Sequence, residues 1–518
     1  MLKKTFSSKF LKGKPPKKLI LLNCFLAILY FNVLLFAIQR GSTILFIILM
    51  IGEIFHLWQA LSYCYTIWSY KAKHDFNPSY FPNVDVFIPV TGEPVDIVEE
   101  TVQAAMSMNY PNFTVNILND GFVAKKENWR DVEILAKKLN IKCITRQVAG
   151  GAKAGNLNNA MRETNSEFIA VFDADMVPHK DFLKKMMGYF IDEKVAFVQS
   201  PQYYKNMDVN GIATGAWDQQ ALFFGPILRG KDRLNSVFMC GTNMVLRRKT
   251  IDQVGGMCET NIAEDFLTSL FVHEKGWKSV YVSEVLSEGL APEDFLSYYK
   301  QQFRWCRGSL EVIFKYNPLF RKGLSIAQKI QYLSSASYYL SGPITLMNAL
   351  LPLIYLYLGQ TPITSSTMLL ATAFVPYILI NLYTLQASGN FTFTFKALSF
   401  SVSSFWIQIK ALIAVLTGQK TTFSVTSKTA LKGNFLKLVI PHITYIIVAV
   451  GGIGLAIYRV GSITPALLTN VSWAVFNIII FIPFIMAAAP EIKFPKLFLK
   501  NQYKVIINDD KDVLTRSI

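Results

Sequence analysis

Two apolar runs, residues 19–39 and 43–68, stand near the start of this 518-residue chain, each about long enough to cross a bilayer. In lipid every backbone amide must find its partner inside the protein, so runs of this kind fold as helices. Further runs at 335–358, 368–385, 436–457 and 463–488 bring the expected spans to six. Residues 395–416 mix Ser, Trp, Gln and Lys into an apolar pattern and read as an interfacial helix, with a seventh span as the alternative. The first run is not a secretory leader: it is too long, no small-residue cleavage site follows, and the second run begins almost at once. Glu53 and His56 lie one turn apart in that second run and share a face, either turned toward protein or set near the interface.

Residues 1–18 carry seven lysines and no acid, which places the N-terminus in the cytoplasm. Two spans return the chain to that side, so the polar region 71–296 is expected to be cytosolic, and six spans return residues 490–518 there as well. The formal charge of +17 does not point to nucleic acid, because zinc-ligand spacing, RNA-binding aromatics and a basic helix are all missing. The lysines instead flank apolar runs, as a plasma-membrane protein requires. Six cysteines, scattered without a CxxC pair, argue against a disulfide framework.

Within 71–296, short apolar strands at 84–90, 115–118, 143–146, 168–172 and 195–199 alternate with helical patterns at 95–108 and 129–139. That alternation implies βαβ units and a largely parallel α/β sheet. The strand at 168–172 runs straight into Asp173-Ala174-Asp175, and Pro178 stops its continuation. Side chains two apart on a strand share a face, but here the strand has ended, so the two carboxylates converge only through a bend beyond it. Open α/β sheets bind ligands at such strand ends, and paired carboxylates suit Mg²⁺ or Mn²⁺ on a phosphorylated substrate. Read alone, the motif is equally a loop with two solvated acids.

Four more groups accompany it. Asn119-Asp120-Gly121 ends the second strand, as a nucleoside contact or simply an Asx-Gly turn. Gly150-Gly-Ala-Lys153-Ala-Gly155 enters a helix, where backbone amides and a lysine suit a diphosphate, although the Walker A ending is absent. Glu264-Asp265 opens a helix, either serving its dipole or supplying a general base. Gln301, Arg304 and Trp305 share one face of the amphipathic stretch 295–314, where Arg can hold phosphate and Trp can stack on a sugar or sit in the membrane interface.

Taken in order and followed by membrane runs, these groups resemble the processive family 2 membrane glycosyltransferases, the cellulose, chitin and hyaluronan synthases, over about residues 80–435. Within that group the chain looks most like cellulose synthase. Phe423-Ser-Val425-Thr426-Ser-Lys428 is similar to its FxVTxK gating loop, and Lys153-Ala-Gly-Asn-Leu-Asn158, Phe238-Met-Cys-Gly-Thr-Asn243 and His273-Glu-Lys-Gly-Trp277 also look like its segments.

The resemblance implies a cytosolic GT-A-like α/β glycosyltransferase domain on a transmembrane helical bundle of about six spans with interfacial helices. Its divisions would be residues 1–70, 71–296, 297–334, 335–489 and 490–518. It implies that UDP-glucose is bound through Glu93, Asp120, Lys153, Asp173, Gln301 and Arg304, with Asp175 holding Mg²⁺ or Mn²⁺. Asp265, with Asp173 and Asp175, would carry catalysis. Glu264, Cys240, Gly241 and Trp305 would receive the growing polysaccharide, and Phe423, Val425, Thr426 and Lys428 would form the gating loop. The implied product is a β-1,4-linked, cellulose-like glucan passed across the lipid bilayer, with accessory export subunits as candidate partners and no nucleic acid.

This chain departs from the family pattern in three places. Val90-Thr91-Gly92-Glu93-Pro94 replaces an aromatic-containing turn, Ala263-Glu264-Asp265 lacks the usual threonine, and the cyclic di-GMP-binding domain is not seen. Arg229-Gly-Lys-Asp-Arg233 fits that messenger's RxxxR pattern but lies inside the catalytic region, so control by it is not expected. The alternatives left open are another polymer (β-1,3 or mixed-linkage glucan, capsular glucan, hyaluronan-like or chitin-like), a non-processive glycolipid transferase, and a non-catalytic scaffold or transporter.

Overall fold

The computed structural model describes residues 9–364, 367–419 and 431–492. The expected gating-loop residues Phe423, Val425, Thr426 and Lys428 lie outside the described residues, as does nearly all of the expected tail.

The centre of the polar region is a seven-stranded sheet in the order β3-β2-β1-β4-β7-β6-β8. Its strands are β1 (Val84–Val90), β2 (Phe113–Asn119), β3 (Lys142–Thr145), β4 (Phe168–Val171), β6 (Val195–Gln199), β7 (Met244–Arg247) and β8 (Lys278–Tyr281), and β5 (Val177–Pro178) pairs separately with β9 (Ser287–Glu288). Every residue of β1 is buried, because helices cover both faces; its sequence is apolar but for Asp85, which is paired with Arg248 at 3.0 Å. β1 runs parallel to both β2 and β4, while β7 runs antiparallel to β4 and β6. The expectation of a largely parallel sheet holds with that one reversal. β7 and β8 are not among the strands read from the sequence.

The chain moves outward from β1 through β2 to β3, then crosses back to place β4 on the other side of β1. The strand order therefore reverses between β1 and β4, and a crevice opens there at their C-terminal ends. Asp120, Lys153 and Asp173 all reach this crevice.

Among the described residues, seven helical stretches are long and apolar enough to cross a membrane: Lys17–Ala37, Thr43–Ile67, Ile326–Leu358, Met368–Ser388, Phe395–Leu416, Ile440–Val460 and Pro465–Ala488. The count exceeds the expected six by the stretch whose sequence allowed two readings. That stretch is broken at Ser404 into helices Phe395–Ser403 and Phe405–Leu416, and 56% of its apolar window is buried, against 17–44% in the others. Its first half packs on the Gly211–Leu222 helix, where Gly215 leaves room for Phe400, and its second half packs beside the Phe295–Tyr316 helix.

Catalytic region and helical bundle are joined by buried polar contacts. Lys231 donates to the Gln331 carbonyl and Oε1, both at 3.0 Å, and Gln331 Nε2 donates to Thr66 at 2.9 Å. His273 pairs through Nδ1 with the Tyr332 hydroxyl at 2.7 Å and through Nε2 with Ser279 at 2.9 Å, which gives the His273–Trp277 motif a structural role. The two polar residues of the second span separate: Glu53 bonds to Tyr30 between helices, whereas His56 is exposed on the bundle surface.

Candidate active site

Each candidate residue is fixed by the end of a strand or the start of a helix. Asp120 follows β2 and is met by Arg146, which follows β3. The guanidinium donates from Nε to Oδ1 at 2.8 Å and from Nη2 to Oδ2 at 2.6 Å, a bidentate ion pair with both side chains buried. Arg146 also donates to the carbonyls of Gly150 and Ala152, so one side chain ties Asp120 to the glycine turn. Burial raises the Asp120 carboxyl above its ordinary range, with Arg146 pulling it back.

Gly151 takes a left-handed φ of 62° and heads the Ala152–Glu163 helix. Gly155 lies so close to the Gly150 carbonyl and Arg146 that no side chain fits. Asn156 and Asn158 fasten this helix by donating to the carbonyls of Leu118 and Met257, both at 2.9 Å. The Lys153-to-Asn158 motif is thus a helix start locked to β2 on one side and to the 257–259 segment on the other.

Lys153 forms an ion pair with Asp173 and donates to the Gly241 carbonyl at 2.8 Å. Burial alone would lower its amine, but Asp173, Glu264 and Asp265 together hold it above the usual lysine range. A turn closed by Met176 N–H donating to the Asp173 carbonyl at 2.9 Å supplies the bend expected beyond β4. Asp173 stays 41% exposed at its side chain toward the crevice, whereas Asp175 is 3% exposed and faces Tyr204. The Asp173 amide donates to Thr242 Oγ1 at 2.9 Å, which links this turn to the 240–243 segment.

Gly241 has φ +79°, and a Cβ there would stand 3.2 Å from Asp265 Oδ2 and 3.5 Å from Lys153 Nζ. Glycine is needed for the backbone conformation and for the space between acid and amine. Cys240 is held through its amide, which donates to Gln199 Oε1 at 2.9 Å, and through its carbonyl, which accepts from Gln202 at 2.9 Å. Burial and the neighbouring Asp265 push its thiol well above the ordinary value, so Cys240 shapes the site and is no nucleophile.

Glu264 and Asp265 occupy the first turn of the Glu264–Glu274 helix. Burial, then the Glu264 charge, pushes Asp265 up to about 7, and Glu264 is raised by burial as well. Ser269 donates to the Asp265 carbonyl at 2.7 Å and accepts the Met239 amide at 2.8 Å, fixing this helix to the segment before β7 that carries Cys240 and Gly241. Arg304, on the Phe295–Tyr316 helix, exerts its charge on both acids. Gln301 bonds to Tyr204, and its buried Oε1 has no partner among the described residues. Trp305 is half-buried on the same helix.

The expected residues Lys153, Asp173, Gly241, Glu264, Asp265 and Arg304 therefore come together. Glu93 is turned differently: its Oε2 accepts the Thr91 amide at 2.5 Å and its backbone carbonyl accepts Asn128, so within the described structure it braces its own turn. Arg146 and Thr242 were missed. Arg146 reads in sequence as the last residue of a strand, and only the parallel pairing of β3 beside β2, which sets Thr145 opposite Asn119, brings it to Asp120. The RxxxR pair is structural: Arg229 donates to the Gly13 carbonyl at 2.7 Å, and Arg233 donates to those of Ser69 and Tyr65 at 3.2 and 3.1 Å.

A glycosyltransferase-like family 2 model matches residues 82–308, and a cellulose synthase model matches residues 250–489. The cellulose synthase catalytic subunit [UDP-forming] of Pseudomonas fluorescens (strain SBW25) is 30% identical over 422 residues, 78% of this chain and 56% of that protein. Cellulose synthase 1 of Komagataeibacter xylinus is 30% identical over 423 residues, 78% of this chain and 27% of that protein. The chain is a relative of the bacterial cellulose synthases. It spans 56% of the first of these proteins and 27% of the second. Among solved structures, a mannosyltransferase from Pyrobaculum calidifontis in complex with GDP-Man and Mn²⁺ is similar at TM-score 0.47 and 16% identity, over 77% of this chain and 100% of that one. The family expected from sequence, and its GT-A-like α/β domain joined to long apolar helices, are both borne out.

Proposed function

We propose that this chain is a processive, inverting glycosyltransferase that polymerises glucose from UDP-glucose into a β-1,4-linked glucan and passes it across the plasma membrane, with its catalytic domain cytosolic. The observation that carries the reading is the meeting of Lys153, Asp173, Gly241 and Asp265 at the sheet's switch point, with Arg304 acting on the same acids from the Phe295–Tyr316 helix.

Asp120, set by Arg146, receives the nucleoside, and the Gly150–Gly155 turn with Lys153 receives the diphosphate. Lys153 and Arg304 balance the negative charge that grows on the leaving UDP. Asp265 takes the proton of the acceptor hydroxyl as that oxygen attacks the anomeric carbon from the face opposite UDP, which inverts the configuration. A carboxyl raised to about 7 by burial and by Glu264 is matched to this task near neutral pH. Trp305 presents a ring for the terminal sugar, and Cys240 and Gly241 form the floor beneath it.

Asp175 would hold Mg²⁺ or Mn²⁺, with Asp173 beside it on the nucleotide side. Among the described residues no group of three or more His, Cys, Asp or Glu could hold a metal alone. Two hard carboxylates beside a phosphate turn fit an ion that takes its remaining oxygens from substrate and water. Such an ion would supply further charge neutralisation on the diphosphate.

The break at Ser404 and the packing of 395–416 beneath the catalytic domain support the interfacial reading of that stretch, which leaves six spans. The test is to incubate membranes carrying the protein with labelled UDP-glucose or UDP-N-acetylglucosamine and divalent metal, then digest the product with linkage-specific glycanases. A product cut only by a β-1,4-glucanase is expected. No incorporation from any UDP-sugar by folded protein would overturn the reading.

A further inference from the structure

The chain before the first apolar helix reads in sequence as a basic tail, yet residues 9–13 are built into the molecule. Lys9–Leu11 forms a single helical turn in the core of the catalytic domain, with Phe10 2% and Leu11 6% exposed. The Phe10 ring meets Trp217 edge to face at 5.1 Å between centroids. Its carbonyl lies against Gly225, where a Cβ would stand 2.7 Å away. Gly225 belongs to the π-helical turn Phe223–Ile227 between the helices Gly211–Leu222 and Leu228–Arg233, a bulge of the kind that marks functional positions.

The same segment also grips the membrane helices. The Lys9 carbonyl accepts Asn390 Nδ2 at 3.1 Å, and the Gly13 carbonyl accepts Arg229 Nη1 at 2.7 Å. Gly13 lies against the Ser388 carbonyl with no room for a side chain, and Arg229 stands 4.3 Å from the Tyr70 ring centroid. Five residues thus join the catalytic core, the end of the Thr367–Ser388 helix and Tyr70 beyond the Thr43–Ile67 helix.

On the far side of Trp217 stand Tyr203 and Tyr204, at centroid distances of 4.8 and 6.4 Å. Tyr204 accepts Gln220 Nε2 at 2.7 Å, bonds to Gln301 and faces Asp175. Phe10 is therefore the outer layer of a wall whose inner face carries Asp175 and Gln301. The nucleoside contacts of Asp120 and Arg146 belong to other strands.

We propose that residues 9–13 are an intramolecular docking peptide and that Phe10 is a positioning residue for sugar transfer, acting through Trp217 and Tyr204 on Asp175 and Gln301. This rests on the glycosyl-transfer reading for its kinetic part, while the docking itself is independent of it. Filling the Trp217–Gly225 pocket holds the wall forward, and the pocket's loss lets the wall relax while the nucleoside side stays in place.

The experiment uses the full chain in lipid nanodiscs and compares wild type with Phe10→Ala/Leu11→Ala and Phe10→Met. Transfer is measured per folded molecule, together with UDP-glucose KM and UDP affinity. The double variant should lose about fivefold or more in kcat with KM and UDP affinity within about twofold, and Phe10→Met should recover most of the rate. Trypsin should cut at Lys9 and Lys12 in the double variant and spare them in wild type. Unchanged kcat per folded molecule, or a loss shared by UDP affinity and not recovered by Phe10→Met, overturns the positioning role. Equal cutting of wild type and double variant overturns the docking. Wild type that transfers no sugar overturns the glycosyl-transfer reading and with it the positioning role, and the trypsin result then decides the docking alone.

Discussion

The two sides of the crevice treat their carboxylates in opposite ways. On the side built by the ends of β2, β3 and β4 and the Ala152–Glu163 helix, two acids are matched to cations: Asp120 to Arg146 and Asp173 to Lys153. On the side built by the Glu264–Glu274 and Phe295–Tyr316 helices, two acids are pressed together under burial, and Asp265 is pushed up to about 7. Acids held by a cation fix geometry, which suits binding. An acid whose proton is finely balanced suits proton transfer. On the proposed function, the difference divides the labour of the site between holding the nucleotide and activating the acceptor.

Replacing Asp265 with Asn should break this division most sharply. The carboxylate's ability to accept a proton is lost while shape is kept, so transfer should fall by about a thousandfold, with UDP affinity measured by calorimetry nearly unchanged. Arg146→Ala should do the converse. It leaves Asp120 buried without its partner, and UDP affinity should weaken by about a hundredfold, with transfer at saturating UDP-glucose largely retained. Gly241→Ala, which forces a side chain into a left-handed conformation between Asp265 and Lys153, should lower transfer by about ten- to thirtyfold in the same assay.

The smallest expected effect is on pH dependence. Because the Asp265 carboxyl is raised, it keeps its proton until pH passes about 7, so the base form grows as pH rises through that value. The rate at saturating substrate should therefore fall about tenfold between pH 8 and pH 6, while UDP binding changes little. A flat rate profile across this range would remove Asp265 from the proton-transfer step.

How far sequence alone reaches also differs between the two sides. β1 and β6 are found at their full bounds, because strands buried on both faces read as mostly apolar runs. The glycine turn and both acid pairs were visible as motifs. Their partners were not: Arg146 reaches Asp120 across 26 positions and Lys153 reaches Asp173 across 20, and nothing local signals either pairing. The antiparallel β7 was not read, yet Thr242 and Gly241 lead directly into it and close the site. Phe10 was hidden for a simpler reason, since one aromatic residue among lysines looks solvated until Trp217 and Gly225 are seen around it.

One measurement tests the division of labour directly: UDP affinity and sugar transfer from labelled UDP-glucose, determined on the same nanodisc preparations of wild type, Asp265→Asn and Arg146→Ala. The account predicts that Asp265→Asn binds UDP as wild type does and transfers almost nothing, and that Arg146→Ala binds UDP poorly and transfers well once saturated. If both variants lose affinity and transfer together, or if Asp265→Asn still builds polymer, the two sides of the crevice do not have the separate roles assigned to them.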